Sequence, residues 1–224
     1  MNVSRAITQK LFMGIIAAIG WFALILQFYI LVHGVPGNGL TTPEAVANFF
    51  SYFTVLTNFL VAASLTIPLL APRSRAGLFF LRPSTQTAVA LYILAVGIVY
   101  SLLLRKVWDP QGLQLVADRL LHDVVPLLYG LFWLIVVPRT RMAWTLVFAW
   151  LLYPLCYLSY ALLRGLLTGW YAYPFLHIPA AGVAVVLTNI LVISCGFTGL
   201  GLLLIALKRP RVKINLLNEP GRAG

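Results

Sequence analysis

Thr54 and Asn58 stand four residues apart in Ser51-Tyr-Phe-Thr-Val-Leu-Thr-Asn58, and Ser51 precedes Thr54 by three. Helical spacing puts Ser51, Thr54 and Asn58 on one face, with Thr57 at its border. A general-base candidate is His122, because an imidazole titrates near neutrality. His122 lies in Asp118-Arg-Leu-Leu-His-Asp123-Val-Val-Pro126. Asp118 shares its helical face and can orient it, while Asp123 lies about 100° round the helix. Pro126 suits the first turn of a helix beginning near Asp123, which makes His122 a helix cap in a second, purely structural reading.

The elements that must position these residues follow from composition. Of the 224 residues, 61% are hydrophobic and 9% charged, and mean hydropathy is +0.94. Soluble domains carry about 25% charged and roughly 45–50% apolar residues. A disordered tail, a disulfide scaffold and an ordinary water-soluble enzyme are thereby excluded. About 20 apolar residues cross a bilayer as a helix. Six segments qualify, at 11–32, 49–70, 87–104, 120–137, 144–163 and 183–207. They lack the two-residue alternation of a barrel. The expected fold is all-α: one six-helix transmembrane domain over 1–224. The first apolar run is too long for the core of a signal peptide and reads as an uncleaved span. His33-Gly-Val-Pro-Gly-Asn-Gly39 has turn composition. After it, either Thr42 caps a helix with Pro43 at its first position, or Thr41 and Glu44 form a capping box.

The net charge of +11 divides unevenly. Twelve of the 16 basic residues lie before span 1, in the 2–3 and 4–5 loops and in the tail. The other four are Arg105, Lys106, Arg119 and Arg164. Basic loops stay cytoplasmic, so both termini are expected inside. The excess then reads as topology signal plus attraction to anionic lipid, with no nucleic acid partner. Four of the five acids and all three histidines fall on the expected outer side.

Polar residues at depth in a span are costly and therefore informative. Thr54 is expected on the order of 8 Å below the outer end of a continuous span 2. Its stripe is either interhelical glue or functional. Val55-Leu-Thr-Asn58-Phe-Leu-Val61 recurs as Val186-Leu-Thr-Asn189-Ile-Leu-Val192 in span 6, which places both asparagines at one depth, bonded within the bundle. Gly169-Trp170-Tyr-Ala-Tyr173-Pro174-Phe175-Leu-His177 suits an interfacial aromatic belt or the rim of a pocket. Cys156 and Cys195 read as small packing residues. The histidine spacing supplies no metal or haem site, and no phosphate loop or other cofactor motif is present.

Three stretches together resemble the androgen-induced / FAR-17a-like family of six-pass membrane proteins, including its bacterial relatives. They are Phe53-Thr54-Val-Leu-Thr57-Asn58, Leu121-His122 followed by Pro126, and Gly169-Trp170 with Tyr173-Pro174-Phe175-Leu176 and then Asn189. The likeness runs in patches from about residue 48 to 196. It implies a multi-pass protein of a bacterial cytoplasmic membrane. It also implies a hydrolase of lipid esters such as fatty acid esters of hydroxy fatty acids. The family threonine falls on Thr54, with Thr57 as the alternative, and the family histidine on His122. The proline follows His122 one residue sooner than in the animal members, and Thr57-Asn58 stands where those carry an acid.

The combined expectation is a threonine hydrolase with its pocket in the outer leaflet. His122 takes the Thr54 proton, Thr54 attacks an ester carbonyl, Asn58 or Asn189 holds the oxyanion, and Asp118 orients His122. Membrane lipids and a lipid-like substrate are the expected partners. The competing expectation is a transporter or binding protein for a small or lipidic solute, with the polar face of span 2 and Asn189 lining its path.

Overall fold

A computed structural model describes residues 3–39 and 41–210. The tail residues Arg211, Lys213, Glu219 and Arg222 lie outside them, as does the side chain of Arg5. The described chain is helical: α1 (Val3–Asn38), α2 (Thr42–Phe49), α3 (Phe53–Leu70), α4 (Arg75–Phe80), α5 (Pro83–Val99), α6 (Gly112–Arg119), α7 (Val125–Val136), α8 (Leu146–Thr168), α9 (Ile178–Ala181) and α10 (Val183–Lys208). A π-turn, Tyr100–Leu104, extends α5, and a second, Leu120–Val124, joins α6 to α7 without interruption. Six helical stretches are long and apolar enough to cross a membrane: α1, α3, α5, α6 through α7, α8 and α10. The protein is an all-α, multi-pass membrane protein.

α3 and α5 form the centre. Each has 56% of its most apolar window buried, against 22–33% in the other four spans. α3 lies between α1 and α5, α5 touches α7 and α10, and α8 joins the bundle beside α10. Val61 and Leu65 of α3, Leu91 and Ile93 of α5, and Tyr129 and Phe132 of α7 fill the core. With no water to bury apolar surface from, such helices associate by close contact and interhelical hydrogen bonds. Cys156 and Cys195 are exposed on the bundle surface, so the expectation that they pack inside it is corrected.

The helix ends differ from their sequence pattern in three places. The turn expected at His33–Gly39 is helical through Asn38, and the chain turns only at Gly39, whose φ is +66°. Extending a formed helix fixes one residue per added hydrogen bond, so α1 continues through poor helix formers. Span 2, expected as one helix from 49, is broken at Phe50–Tyr52. Span 4, expected from about 120, begins at Gly112. Of the two starts weighed for α2, the structure has the capping box: the Glu44 N–H donates to Thr41 Oγ1 and the Thr41 N–H to Glu44 Oε2, 2.8 Å away. The Thr41 N–H holds the Glu44 carboxyl below the usual range.

Candidate active site

The break between α2 and α3 makes the first half of the site. Ser51 Oγ donates to the Ala47 carbonyl at 2.6 Å, and Tyr157 from α8 donates to the Ser51 carbonyl at 2.9 Å. Side chains thus satisfy backbone groups that a continuous helix would have paired. Thr54 consequently sits in the first turn of α3, not a third of the way down a longer helix. The first amides of a helix have no intrahelical acceptor. Instead, the Thr54 N–H points to the Tyr173 hydroxyl at 3.4 Å. Thr54 is buried, with its Oγ1 also 3.5 Å from that hydroxyl.

The second half is the π-turn that carries His122. The reading of His122 as a cap is corrected: the helix runs unbroken from Gly112 to Val136. Proline cannot donate and its ring crowds the carbonyl four residues back. The wider π-turn accommodates Pro126, with Val125 N–H bonding the Leu120 carbonyl. The Leu121 carbonyl then has no donor from Pro126. Asn58 Nδ2 supplies one at 3.3 Å, and also donates to the Thr54 carbonyl at 2.8 Å. Gly97 of α5 lets this turn come close, since a Cβ there would meet the His122 carbonyl at 3.1 Å and Pro126 Cβ at 3.2 Å.

His122 Nε2 lies 3.3 Å from Thr54 Oγ1. His122 Nδ1 faces two acceptors, the Asp118 carbonyl at 3.0 Å and Asp118 Oδ1 at 3.1 Å. Neither acceptor carries a hydrogen when the carboxylate is ionised, so in the neutral ring Nδ1 holds the proton and Nε2 presents its lone pair to Thr54. Tyr100, from the other π-turn, donates to Asp118 Oδ2 at 2.6 Å and stacks on the imidazole at 3.9 Å between centroids. π-turns are common at functional sites, and here each contributes one ring of this stack. Asp118 is buried. Asp123 is instead bound by Arg105 and Arg119.

The remaining expected site residues are placed as follows. Thr57 is fully buried with its hydroxyl 3.3 Å from Tyr153, away from His122. Asn58 has no free amide hydrogen to offer an oxyanion. Both Asn58 amide hydrogens are committed to carbonyls, and Asn189 donates to the Phe175 carbonyl at 2.9 Å. The two asparagines bond within the bundle, each to a different segment. Asn189 tethers the loop that brings Tyr173 over Thr54. Phe175 stacks on Tyr173 at 5.1 Å, and Pro174 is exposed beside it. Trp170 lies under the Arg164 guanidinium at 4.3 Å and edge-on to Tyr52 at 5.6 Å. Burial pushes the Tyr173 hydroxyl up, against the opposing bonds from Thr54.

Two cavities meet at Thr54. One, of about 470 Å³, is bounded by Gln27, Gln114, Asp118, His122 and Tyr173 among others. The other, of about 60 Å³, is walled by apolar and aromatic side chains such as Ala95, Val96 and Phe197. Thr54, Tyr100, Leu104 and Tyr173 face both. His33 bonds the Tyr29 carbonyl and His177 caps α9, so the three histidines serve three separate places. Among the described residues no group of three or more His, Cys, Asp or Glu could hold a metal.

Tyr100, Gln27 and Gln114 are the site residues that sequence reasoning passes over. Their signal is a polar group inside an apolar span, which has to find a partner. A buried hydroxyl, a base poised on it, a carboxylate behind the base and a hydroxyl donor beside it are the parts that acyl transfer requires. No protein-family model, curated protein or solved structure matches the chain.

Proposed function

We propose that the protein is an intramembrane hydrolase of lipid esters with Thr54 as nucleophile and His122 as general base. The observation that carries this reading is the 3.3 Å approach of His122 Nε2 to Thr54 Oγ1, backed by Asp118 on Nδ1. The resemblance of the flanking motifs to the FAR-17a-like hydrolases supports the same two residues. The concentration of basic residues in the loops remote from Thr54 supports a site in the outer leaflet.

The chemistry follows from the geometry. His122 Nε2 takes the hydroxyl proton as Thr54 Oγ1 forms a bond to the ester carbonyl carbon, and the carbonyl π pair moves onto oxygen. Asp118 stabilises the imidazolium that results. The oxyanion falls to the Tyr173 hydroxyl, in place of Asn58, with the positive end of α3 behind it. Collapse expels the alcohol oxygen, which receives the proton from Nε2. Water then gives its proton to Nε2 and attacks the acyl-threonine. Collapse releases the carboxylic acid and returns the proton to Oγ1.

Fluorophosphonate labelling of the purified chain, with mass spectrometry of the adduct, tests the assignment. Label is expected on Thr54, lost in Thr54→Ala and in His122→Ala, and kept in Thr57→Val. Labelling that survives both alanine variants refutes it.

A further inference from the structure

The walls around Thr54 differ in chemistry, and that difference bears on which ester fits. The larger cavity is walled mostly by apolar side chains such as Leu31, Val55 and Trp108, but amides and hydroxyls stand among them, and its described lining residues include no lysine or arginine. Its one charged side chain is Asp118, an acid already held by Tyr100 and His122. The nearby Arg105 is bound by Asp123. An anionic group placed there would leave water, meet no counter-charge and face a carboxylate, which is strongly unfavourable.

Gln27 of α1 and Gln114 of α6 form a reciprocal pair in this wall. Gln114 Nε2 donates to Gln27 Oε1 at 2.9 Å, and Gln27 Nε2 to Gln114 Oε1 at 3.4 Å. Each amide has two hydrogens and two lone pairs. The pair uses one of each, so each glutamine keeps one donor and one acceptor. That is a match for uncharged hydroxyl groups, which both donate and accept.

The smaller cavity is different. Its polar groups are the shared Thr54, Tyr100 and Tyr173 and the Tyr157 hydroxyl, and the rest of its wall is apolar.

We infer that the substrate is an uncharged ester of a polyhydroxy alcohol. The acyl chain occupies the apolar cavity, and the free hydroxyls of the alcohol meet Gln27 and Gln114 in the larger one. This inference rests on the hydrolase reading above and makes it specific.

Hydrolysis by the full chain in detergent or nanodiscs tests it. The panel is monobutyrylglycerol, the butyryl ester of lactic acid as an anionic counterpart of similar size, and monoacylglycerols of 6, 8 and 16 carbons. The glycerol ester is expected to show at least tenfold higher kcat/KM than the lactate ester. In the double variant Gln27→Leu, Gln114→Leu the preference for glycerol over lactate is expected to fall below threefold. Thr54-dependent turnover with equal or reversed charge preference overturns this substrate assignment and leaves the hydrolase reading standing. Turnover that persists in Thr54→Ala, or none with any ester, overturns both.

Discussion

Replacing Tyr173 by phenylalanine removes one oxygen from the site and little else. The ring keeps its stack on Phe175 and its edge contact with Tyr52 at 5.9 Å. What is lost is the hydroxyl that lies 3.5 Å from Thr54 Oγ1 and accepts from the Thr54 N–H at 3.4 Å. Deleting an oxyanion donor typically costs about 10²–10³ in kcat. The distances here are measured to Thr54 rather than to an oxyanion, and they exceed the ideal donor range of about 2.7–3.1 Å. The lower bound is therefore the expectation: kcat for p-nitrophenyl butyrate falls about 100-fold, or ~2.7 kcal/mol in activation free energy. Because the contact strengthens only as charge develops, kcat and kcat/KM should fall together with KM unchanged. The pH dependence carries a second check. Burial raises the Tyr173 hydroxyl above its ordinary value, so its proton stays on across neutral and mildly alkaline conditions. The wild-type to Y173F rate ratio should thus be flat from about pH 6 to 9. A kcat within threefold of wild type, or a ratio that collapses inside that range, refutes Tyr173 as the donor.

The other predictions probe the supports of the site and of the bundle. Tyr100→Phe deprives Asp118 Oδ2 of its 2.6 Å donor, and an unpaired buried acceptor costs about 1–3 kcal/mol; both the melting temperature in detergent and the fluorophosphonate labelling rate should fall. Gly97→Val pushes into the His122 carbonyl and Pro126, at an overpacking cost of about 1–3 kcal/mol; labelling of Thr54 should slow, whereas Gly14→Ala, at a position with nothing within 4 Å of an added Cβ, should leave it unchanged. Lys208→Met removes an ammonium that donates to the Leu134 and Val137 carbonyls at 3.1 and 2.6 Å, so thermal unfolding should shift downward while labelling persists.

How much of this is readable along the chain depends on the range over which each feature is decided. The spans are local: about 20 apolar residues suffice, and composition displays them. The capping box of α2 is local too, since Thr41 and Glu44 are three residues apart. The His122–Asp118 pair is legible for the same reason, one helical turn setting it. Asn58 shows where this kind of reading stops. Its polarity marks it as significant, but its task is fixed by Pro126, which leaves the Leu121 carbonyl, 63 residues along the chain, in need of a donor. Seen alone, an amide in a span looks like a ligand-binding group; beside that carbonyl it is a structural fill.

The Thr54–His122 pair itself sits where regular periodicity fails. Thr54 opens a helix because the chain breaks at Phe50–Tyr52, and His122 rides on a π-turn. A pattern search that assumes 3.6 residues per turn draws a straight helix through both positions and so misplaces both. The break leaves the first amides of α3 without helical acceptors, and the Thr54 N–H finds Tyr173. The π-turn lets Pro126 sit in a continuous helix while Asp118 stays one turn behind the imidazole. In a bilayer, where an unpaired backbone group costs several kcal/mol, such irregularities persist only when side chains satisfy them. Here those side chains are Ser51 and Tyr157 at the break and Asn58 at the π-turn. Much of the polar character of span 2 is therefore the condition for two irregularities, the break at its own start and the π-turn of span 4, and Thr54 is the member of that set whose hydroxyl is left facing His122.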